Sequence, residues 1–148
     1  MVDERHCICS CVFMDKIFIF GGFHKKDVYD DDYIITTKSC LEFNTKYNNF
    51  KEIAGMNVAR WDAACTIFEE SILVSGGIDN DDISLKSVES YDVFADKWSS
   101  MPNTINNHDR HCIVVVKDKM FVIDHGKSNS EVFDNVCNKF IALKSPNS

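Results

Sequence analysis

Glycine and proline are scarce in this sequence, with six glycines and two prolines in 148 residues. Their scarcity excludes a collagen-like or proline-rich chain of low complexity. No apolar run approaches the roughly 20 residues that a membrane helix requires. The first five residues also lack the basic and apolar regions of a secretory signal peptide. We therefore expect a cytoplasmic protein that does not bind membranes.

Basic residues are outnumbered by acidic ones, 16 against 23, and the formal net charge is -7. Binding to nucleic acid depends on clustered Lys and Arg side chains that neutralise phosphates. The charge balance therefore argues against a nucleic-acid partner and favours a basic or neutral one.

Cysteine is present, but it does not follow the pattern of a disulfide framework. The seven cysteines are an odd number at irregular spacing, and several lie inside apolar stretches. Such cysteines are typical of reduced, buried thiols. Cys7, Cys9 and Cys11 alternate, so they share one face of a strand, which also suits a thiolate cluster or a redox sensor. Burial on an innermost strand is the simpler interpretation, and we adopt it.

A repeat runs through the whole chain. Three segments begin with Arg5, Arg60 and Arg110, and each leads into an apolar run that breaks at a short polar turn and then resumes. This pattern predicts two strands joined by a hairpin. In the first two units the second strand ends in a glycine pair, which is Gly21 and Gly22 or Gly76 and Gly77. The third unit has Asp124, His125 and Gly126 in that place.

Each unit also carries two aromatic residues seven positions apart. They are Phe43 and Phe50, Tyr91 and Trp98, and Phe133 and Phe140. Between the two aromatics lies a polar stretch opened by Asn or Asp, residue types that start turns. The aromatics therefore mark a third and a fourth strand, and each unit supplies four short antiparallel strands.

Together these features resemble the kelch repeat. The middle unit matches best, through Arg60, Gly76, Gly77, Tyr91 and Trp98, whereas the first unit has Phe for Tyr and Trp and the third lacks the glycine pair. The resemblance implies an all-β, kelch-type β-propeller in which the glycines and aromatics are structural residues. It implies three four-stranded blades with approximate limits 5–54, 60–100 and 110–143.

Three blades make only a partial propeller. Propellers usually close with about four to eight blades, so both end blades leave one face uncovered. We expect a fragment, a truncated gene product, or one half of a six-bladed homodimer.

The resemblance also implies where a partner binds. If strands alternate in direction, the connections before strand one and after strand two share one face of the propeller. The connections after strand two are expected to be long loops, Phe23 to Ile34, Ile78 to Lys86 and Gly126 to Asn129, and the first two are rich in Asp. The predicted partner-binding residues on this face are Arg5, Arg60, Trp61, Asp79, Asn80, Arg110 and His111. The alternative is that the arginines bridge to carboxylates or carbonyls and the aspartates only keep the loops solvated.

No catalytic, metal-binding or cofactor-binding site is predicted. The pair His108 and His111 lacks the further Cys or His ligands that a zinc site needs. Asp79, Asn80 and Asp81 look like the opening of a calcium loop, but Ser84 stands where that loop requires glycine.

The expected function is therefore a protein-protein interaction module and not an enzyme. The resemblance implies target recognition as in kelch-like substrate adaptors of cullin-RING ubiquitin ligases, which recruit the ligase through a separate BTB domain. This chain has no room for a BTB domain, so a longer or sister chain would supply it. The alternatives are an actin-binding or other cytoskeletal kelch protein, or a sugar-active or metal-dependent propeller enzyme.

Overall fold

The structure of the chain, a computed structural model, describes residues 4–28, 31–125 and 129–144. Within those ranges all regular structure is β-strand. A helix that is long and apolar enough to cross a membrane is accordingly absent from this part of the chain.

Twelve of the strands form three antiparallel sheets of four strands each, which are the three blades. Blade 1 contains β1 (Cys9–Phe13), β2 (Lys16–Phe20), β5 (Cys40–Asn44) and β6 (Asn49–Ile53). Blade 2 contains β7 (Ala64–Phe68), β8 (Ser71–Ser75), β9 (Val88–Asp92) and β10 (Lys97–Met101). Blade 3 contains β11 (Cys112–Val116), β12 (Lys119–Ile123), β13 (Glu131–Asp134) and β14 (Lys139–Ala142). The predicted all-β fold of three four-stranded blades is confirmed.

The first connection after strand two differs from the expected loop. It contains an antiparallel ribbon of β3 (Phe23–Val28) and β4 (Asp31–Thr36). The aromatic and β-branched run Tyr33, Ile34 and Ile35 explains β4, because such residues favour strands. The sequence predicted a loop here because the ends of the two strands are rich in Asp, which is depleted in strands. The side chains of Asp27, Asp31 and Asp32, all of Asp30, and most of the third loop, 126–128, lie outside the described residues.

The blades pack against each other through two apolar cores. One core joins blades 1 and 2, and the other joins blades 2 and 3. Trp98 shows how: its ring meets the ring of Phe20 edge-on at 5.5 Å, and its Nε1–H donates to the Ala54 carbonyl at 2.7 Å. The first strands β1, β7 and β11 contact one another in succession. These first strands therefore line the centre of the arc.

The predicted aromatic pairs lie side by side on β5 and β6, β9 and β10, and β13 and β14. The ring centroids of Tyr91 and Trp98 are 5.0 Å apart, and those of Phe133 and Phe140 are also 5.0 Å apart. Both pairs are buried between blades. The pair in blade 1 lies on the outer face, and Phe50 there is 45% exposed.

The glycine pairs allow strand two of one blade to approach the segment that leads into the next blade. Gly76 has φ +59°, and a Cβ at that position would lie 2.2 Å from the His108 carbonyl oxygen. Gly21 stands in the same relation to the Arg60 carbonyl oxygen, again at φ +59° and 2.2 Å. No other residue type fits this backbone conformation and this space without displacing the chain.

These contacts correct the predicted repeat register in blade 3. Gly22 N donates to the Arg60 carbonyl, and Gly77 N donates to the His108 carbonyl, so His108 is the equivalent of Arg60. Arg110 instead corresponds to Asp62, and both have positive φ, 50° and 52°. The first strands begin at Ala64 and Cys112, 48 residues apart, whereas Arg60 and Arg110 are 50 residues apart. The predicted repeat was misaligned by two residues in blade 3, because Arg110 lies two residues after His108 and matches Arg5 and Arg60 in residue type.

Candidate functional site

In blades 1 and 2 the connection before the first strand meets the connection after the second strand on one side of the blade. His6 pairs with Phe23 and Trp61 pairs with Ile78 in isolated antiparallel bridges. We call the surface formed by 5–8, 21–28, 31–39, 54–63, 76–87 and 102–111 the loop face. It is the surface on which the partner-binding residues were expected.

Arg60 does not reach the surface of the loop face. It is 1% exposed, and its two Nη groups donate to the carbonyls of Gly76 and Ser87, to Ser87 Oγ and to Glu89 Oε1 at 2.7 to 3.0 Å. Burial lowers the pKa of Arg60, and the Glu89 carboxylate opposes that effect. Arg60 is therefore a structural bridge to a carboxylate and to carbonyls, as the alternative prediction had it, and it does not lie at the surface where a partner would bind.

Glu89 uses the same carboxylate to hold the connection between blades 1 and 2. Its oxygens accept hydrogen bonds from the backbone N–H groups of Asn57, at 2.7 Å, and Val58, at 3.1 Å. Glu89 is 2% exposed. Because a buried carboxylate is stable only when it is paired and hydrogen-bonded, this arrangement ties the connection to the core of blade 2.

Blade 3 repeats this link with different residues. The Glu131 carboxylate accepts hydrogen bonds from the backbone of Ile105 and Asn106, each at 2.8 Å. His108 takes the place of Arg60: its Nε2 lies 3.0 Å from Glu131 Oε1, and its Nδ1 lies 3.1 Å from Asp124 Oδ2. Both ring nitrogens of His108 therefore contact carboxylate oxygens of blade 3.

Two of the other predicted binding residues also make internal contacts. Arg5 is half-buried, and it donates to the Ser39 carbonyl at 3.1 Å and to Ser39 Oγ at 2.8 Å. His111 Nε2 lies 2.7 Å from Ser75 Oγ. Burial lowers the pKa of His111 to about 4, so the ring is neutral near pH 7. Arg5 and His111 therefore support the loop face from beneath.

The loop face also contains a row of rings, partly or fully buried, that ends in an exposed cation. His6 stacks on Phe23 with centroids 5.3 Å apart, and Phe23 meets Trp61 edge-on at 5.4 Å. The Arg110 guanidinium lies over the Trp61 ring, 5.9 Å from its centroid. Arg110 Nε also donates to Asp62 Oδ2 at 2.8 Å, and the Arg110 side chain is 64% exposed. We call His6, Phe23, Trp61 and Arg110 the aromatic row.

A cavity of about 180 Å³ opens beside the aromatic row. Its walls come from β4, from Trp61 and from the loop after β8, and they consist of Ile34, Thr36, Trp61, Asp79, Asn80 and Asp82. Asn80 Oδ1 accepts a hydrogen bond from Thr36 N at 3.2 Å, which ties the loop to β4. The structure thus brings the predicted residues Trp61, Asp79 and Asn80 together in one cavity.

Sequence reasoning missed several residues of this surface. Phe23 follows the glycine pair of blade 1 directly, as Ile78 follows that of blade 2, and this position was the available signal. Glu89 and Glu131 each precede the first residue of an aromatic pair by two positions, which was the signal for the buried carboxylates. Thr36 carried no signal, because only the unexpected ribbon brings it to the cavity.

Metal ligands do not converge in the part of the chain that the structure describes, where no group of three or more His, Cys, Asp or Glu side chains could hold an ion. The loop that looks like a calcium site uses Asp79 Oδ1 to accept backbone hydrogen bonds from Asp81 and Ile83, both at 2.9 Å. Asp79 therefore shapes its own loop.

Comparison with known proteins gives consistent similarities. The family model described as Kelch motif matches residues 60–104. Spermatocyte protein spe-26 of Caenorhabditis elegans is 31% identical over 113 residues, which are 73% of this chain and 19% of that protein. The F-box/kelch-repeat protein SKIP30 of Arabidopsis thaliana is 29% identical over 108 residues, which are 72% of this chain and 31% of that protein. The chain thus spans less than a third of either relative.

The solved structure "Structure of YjhT" superposes on this chain with a TM-score of 0.80 and 14% sequence identity. The match covers 98% of this chain and 53% of that one. At this identity the similarity concerns the fold alone. Almost the whole chain therefore corresponds to about half of a longer chain of the same fold.

Proposed function

Because this chain belongs to the kelch-repeat family, we propose that it is a protein-interaction module that holds a partner protein on its loop face. The observation that carries this proposal is the aromatic row, in which Trp61 and Arg110 lie at the surface on a rigid base. Trp and Arg are among the residue types in which binding energy concentrates at protein interfaces. The buried Arg60 supplies the rigidity beneath them.

Site-specific cross-linking in cells tests this proposal. A photoreactive amino acid at position 61 should capture a defined partner protein, and the same amino acid at position 94 should not. Phe94 is a matched control, because it is 73% exposed and lies in the β9–β10 turn at the opposite end of blade 2. Absence of a partner specific to position 61 would contradict the proposal.

The captured partner then allows a quantitative test with purified proteins. Trp61→Ala together with Arg110→Ala should weaken the affinity at least tenfold, about 1.4 kcal/mol. The control pair Phe94→Ala with Lys97→Ala removes the same kinds of group from the opposite end and should leave the affinity unchanged. Arg60 is unsuitable for this test, since its removal would leave Glu89 buried without its cation.

We propose, more specifically, that the partner is a target presented to a cullin-RING ubiquitin ligase. Support comes from the family resemblance and from SKIP30, whose name joins an F-box to kelch repeats. The domain that recruits the ligase would belong to a longer protein or to a sister chain with a BTB domain. Co-purification of a cullin with the captured complex tests this role, whereas co-sedimentation with actin filaments would favour a cytoskeletal role.

We also propose that two copies of the chain join as half-rings, and that the protein works in the cytoplasm. The first proposal is supported by the match of this chain to about half of a longer chain with the same fold. The second is supported by seven cysteines whose spacing does not suit a disulfide framework. Imaging of a fluorescent fusion tests the location.

A further inference from the structure

The cavity beside Trp61 has the size of one side chain. Its volume of about 180 Å³ lies below the roughly 300 Å³ at which pockets for drug-sized ligands begin. A partner segment that crosses the loop face could therefore insert a single residue here. The chemistry of the walls decides which residue type that is.

The charge of the walls is negative. Asp79 and Asp82 contribute carboxylates, Asn80 contributes a neutral amide, and no Lys or Arg is among the lining residues that the structure describes. The nearest cation of the aromatic row, Arg110, is paired with Asp62 at 2.8 Å. An acidic side chain would be repelled from this cavity, whereas a cation would gain favourable electrostatic interactions.

The remaining walls suit the other parts of a long basic side chain. Trp61 offers an indole ring, the best of the aromatic faces for a cation, and Arg110 already lies over this ring. Ile34 is 41% exposed and offers apolar surface to an aliphatic stem. Lys and Arg combine such a stem with a cationic head.

A second, independent feature of the cavity is a buried hydroxyl group in its wall that lacks a hydrogen-bond partner in the described part of the chain. Thr36 is only 8% exposed, and its Oγ1 has no hydrogen-bond partner among the described residues. Buried hydroxyl groups without a partner are uncommon in native proteins, and Thr36 belongs to the cavity wall, where a polar group of a ligand could supply the missing hydrogen bond.

From these observations we infer that the cavity formed by Ile34, Thr36, Trp61, Asp79, Asn80 and Asp82 binds an Arg or Lys side chain of the partner protein. The inference rests on the proposed function and names the chemistry that the partner presents. The carboxylates neutralise the cationic head, the indole ring covers it, and Ile34 contacts the stem.

The two tryptophans allow a direct test by nuclear magnetic resonance. Trp61 lines the cavity, whereas the Trp98 indole N–H is bonded to Ala54 in the interface between blades. The probes are capped pentapeptides with Arg, Lys, Gln or Glu between glycines. The Arg and Lys peptides should shift the Trp61 indole signal saturably and leave the Trp98 signal in place, and the Gln and Glu peptides should shift neither.

Matched variants separate the cavity from general charge attraction. Asp79→Asn together with Asp82→Asn should weaken binding of the Arg peptide at least fivefold. The amide introduced by Asp79→Asn keeps an oxygen that can accept from the backbone of Asp81 and Ile83, so the loop should keep its shape. Asp81→Asn is the control, because it removes one charge from the same loop at an exposed residue outside the cavity wall. Equal loss of affinity in the control, or no shift of Trp61 with the Arg peptide, would overturn the inference.

The two proposals fail in different ways. If the partner cross-linked at position 61 binds the Asp79 and Asp82 variant as tightly as the native chain, the basic-residue inference is wrong and the interaction function stands. If the Arg peptide binds the cavity but no partner is captured at position 61, the interaction function fails and the cavity assignment stands.

Discussion

At the scale of single residues, two buried carboxylates hold the connections between blades, and each has a different side-chain partner. Glu89 pairs with Arg60, and Glu131 pairs with His108, and each carboxylate also receives two backbone N–H groups. Removal of one member of such a pair is costly, because the other member stays buried without compensation. The connections between blades therefore depend on these few side chains.

Substitution Glu89→Gln should lower the free energy of unfolding by about 3 kcal/mol. Gln keeps the shape of the side chain but leaves the Arg60 cation without its anion. Urea denaturation of both proteins measures the difference. The control is Glu42→Gln, since Glu42 pairs with a Lys16 side chain that is 36% exposed, and partly solvated pairs contribute only about 0 to 1 kcal/mol. Similar losses in the two variants would contradict the proposed link.

Stability should also depend on pH through His111. Burial lowers the pKa of this ring from 6.5 to about 4 in the folded chain. As the pH falls below 6.5, the unfolded chain binds the proton first, so folding loses free energy between pH 6.5 and pH 4. The contribution is fully present above the unfolded pKa, and the total loss is about 3 kcal/mol.

Urea denaturation of the native chain and of His111→Gln across this pH range measures the effect. Gln can still bond to Ser75 and cannot titrate, so the variant should lose less stability than the native chain on acidification. Identical slopes in the two proteins would show that the His111 ring does not remain neutral in the folded state.

At the scale of elements, the unit of stability is the interface between adjacent blades. Each interface joins strands from two sheets, and its largest side chains are aromatic. Trp98 is 7% exposed and connects β10 of blade 2 to the residue after β6 of blade 1 through its bond to Ala54. Because each of these contacts joins two adjacent blades, we expect adjacent blades to unfold together.

Substitution Trp98→Ala should destabilise the chain by about 3 to 5 kcal/mol, as the loss of a large buried aromatic does. The melting temperature should fall strongly. Phe94→Ala serves as the control, because Phe94 lies in the adjacent turn at 73% exposure and its truncation should change stability by less than about 0.5 kcal/mol. A melting temperature that hardly moves in Trp98→Ala would refute the role of this residue between blades.

At the scale of the whole molecule, the two end blades leave complementary faces open. The outer face of blade 1 carries the Phe43 and Phe50 pair, whose equivalents in blades 2 and 3 pack against the preceding blade. The outer face of blade 3 carries Val116, at 54% exposure, and Val116 is equivalent to the buried Phe68 of blade 2. Each open face therefore exposes apolar residues whose equivalents are buried between blades elsewhere in the chain, and it resembles one half of such an interface.

Light scattering should consequently give a molar mass of twice 16.9 kDa for the purified chain. In the proposed dimer, two half-rings related by a twofold axis would bury both pairs of open faces at once. Phe50→Asp should convert the dimer to a monomer, whereas Phe94→Asp, at the opposite end of blade 2, should not. A monomeric native chain would mean that the open faces belong against further blades of a longer protein.

The sequence by itself determined the class of the fold, because its signals are local. Strand alternation, the glycine pairs and the aromatic spacing each depend on a few adjacent residues, and the four-stranded blades follow from them. The same signals placed Trp61, Asp79 and Asn80 on one face.

Only the tertiary structure decided which charged residues are buried and which lie at the surface. Arg60 and Arg110 look alike in the sequence, yet one is held beneath the loop face and the other lies over Trp61. The equivalence of Arg60 with His108 is likewise visible only through backbone contacts to residues distant along the chain, Gly22 and Gly77. Burial and pairing are set by such distant neighbours, and a local pattern carries no information about them.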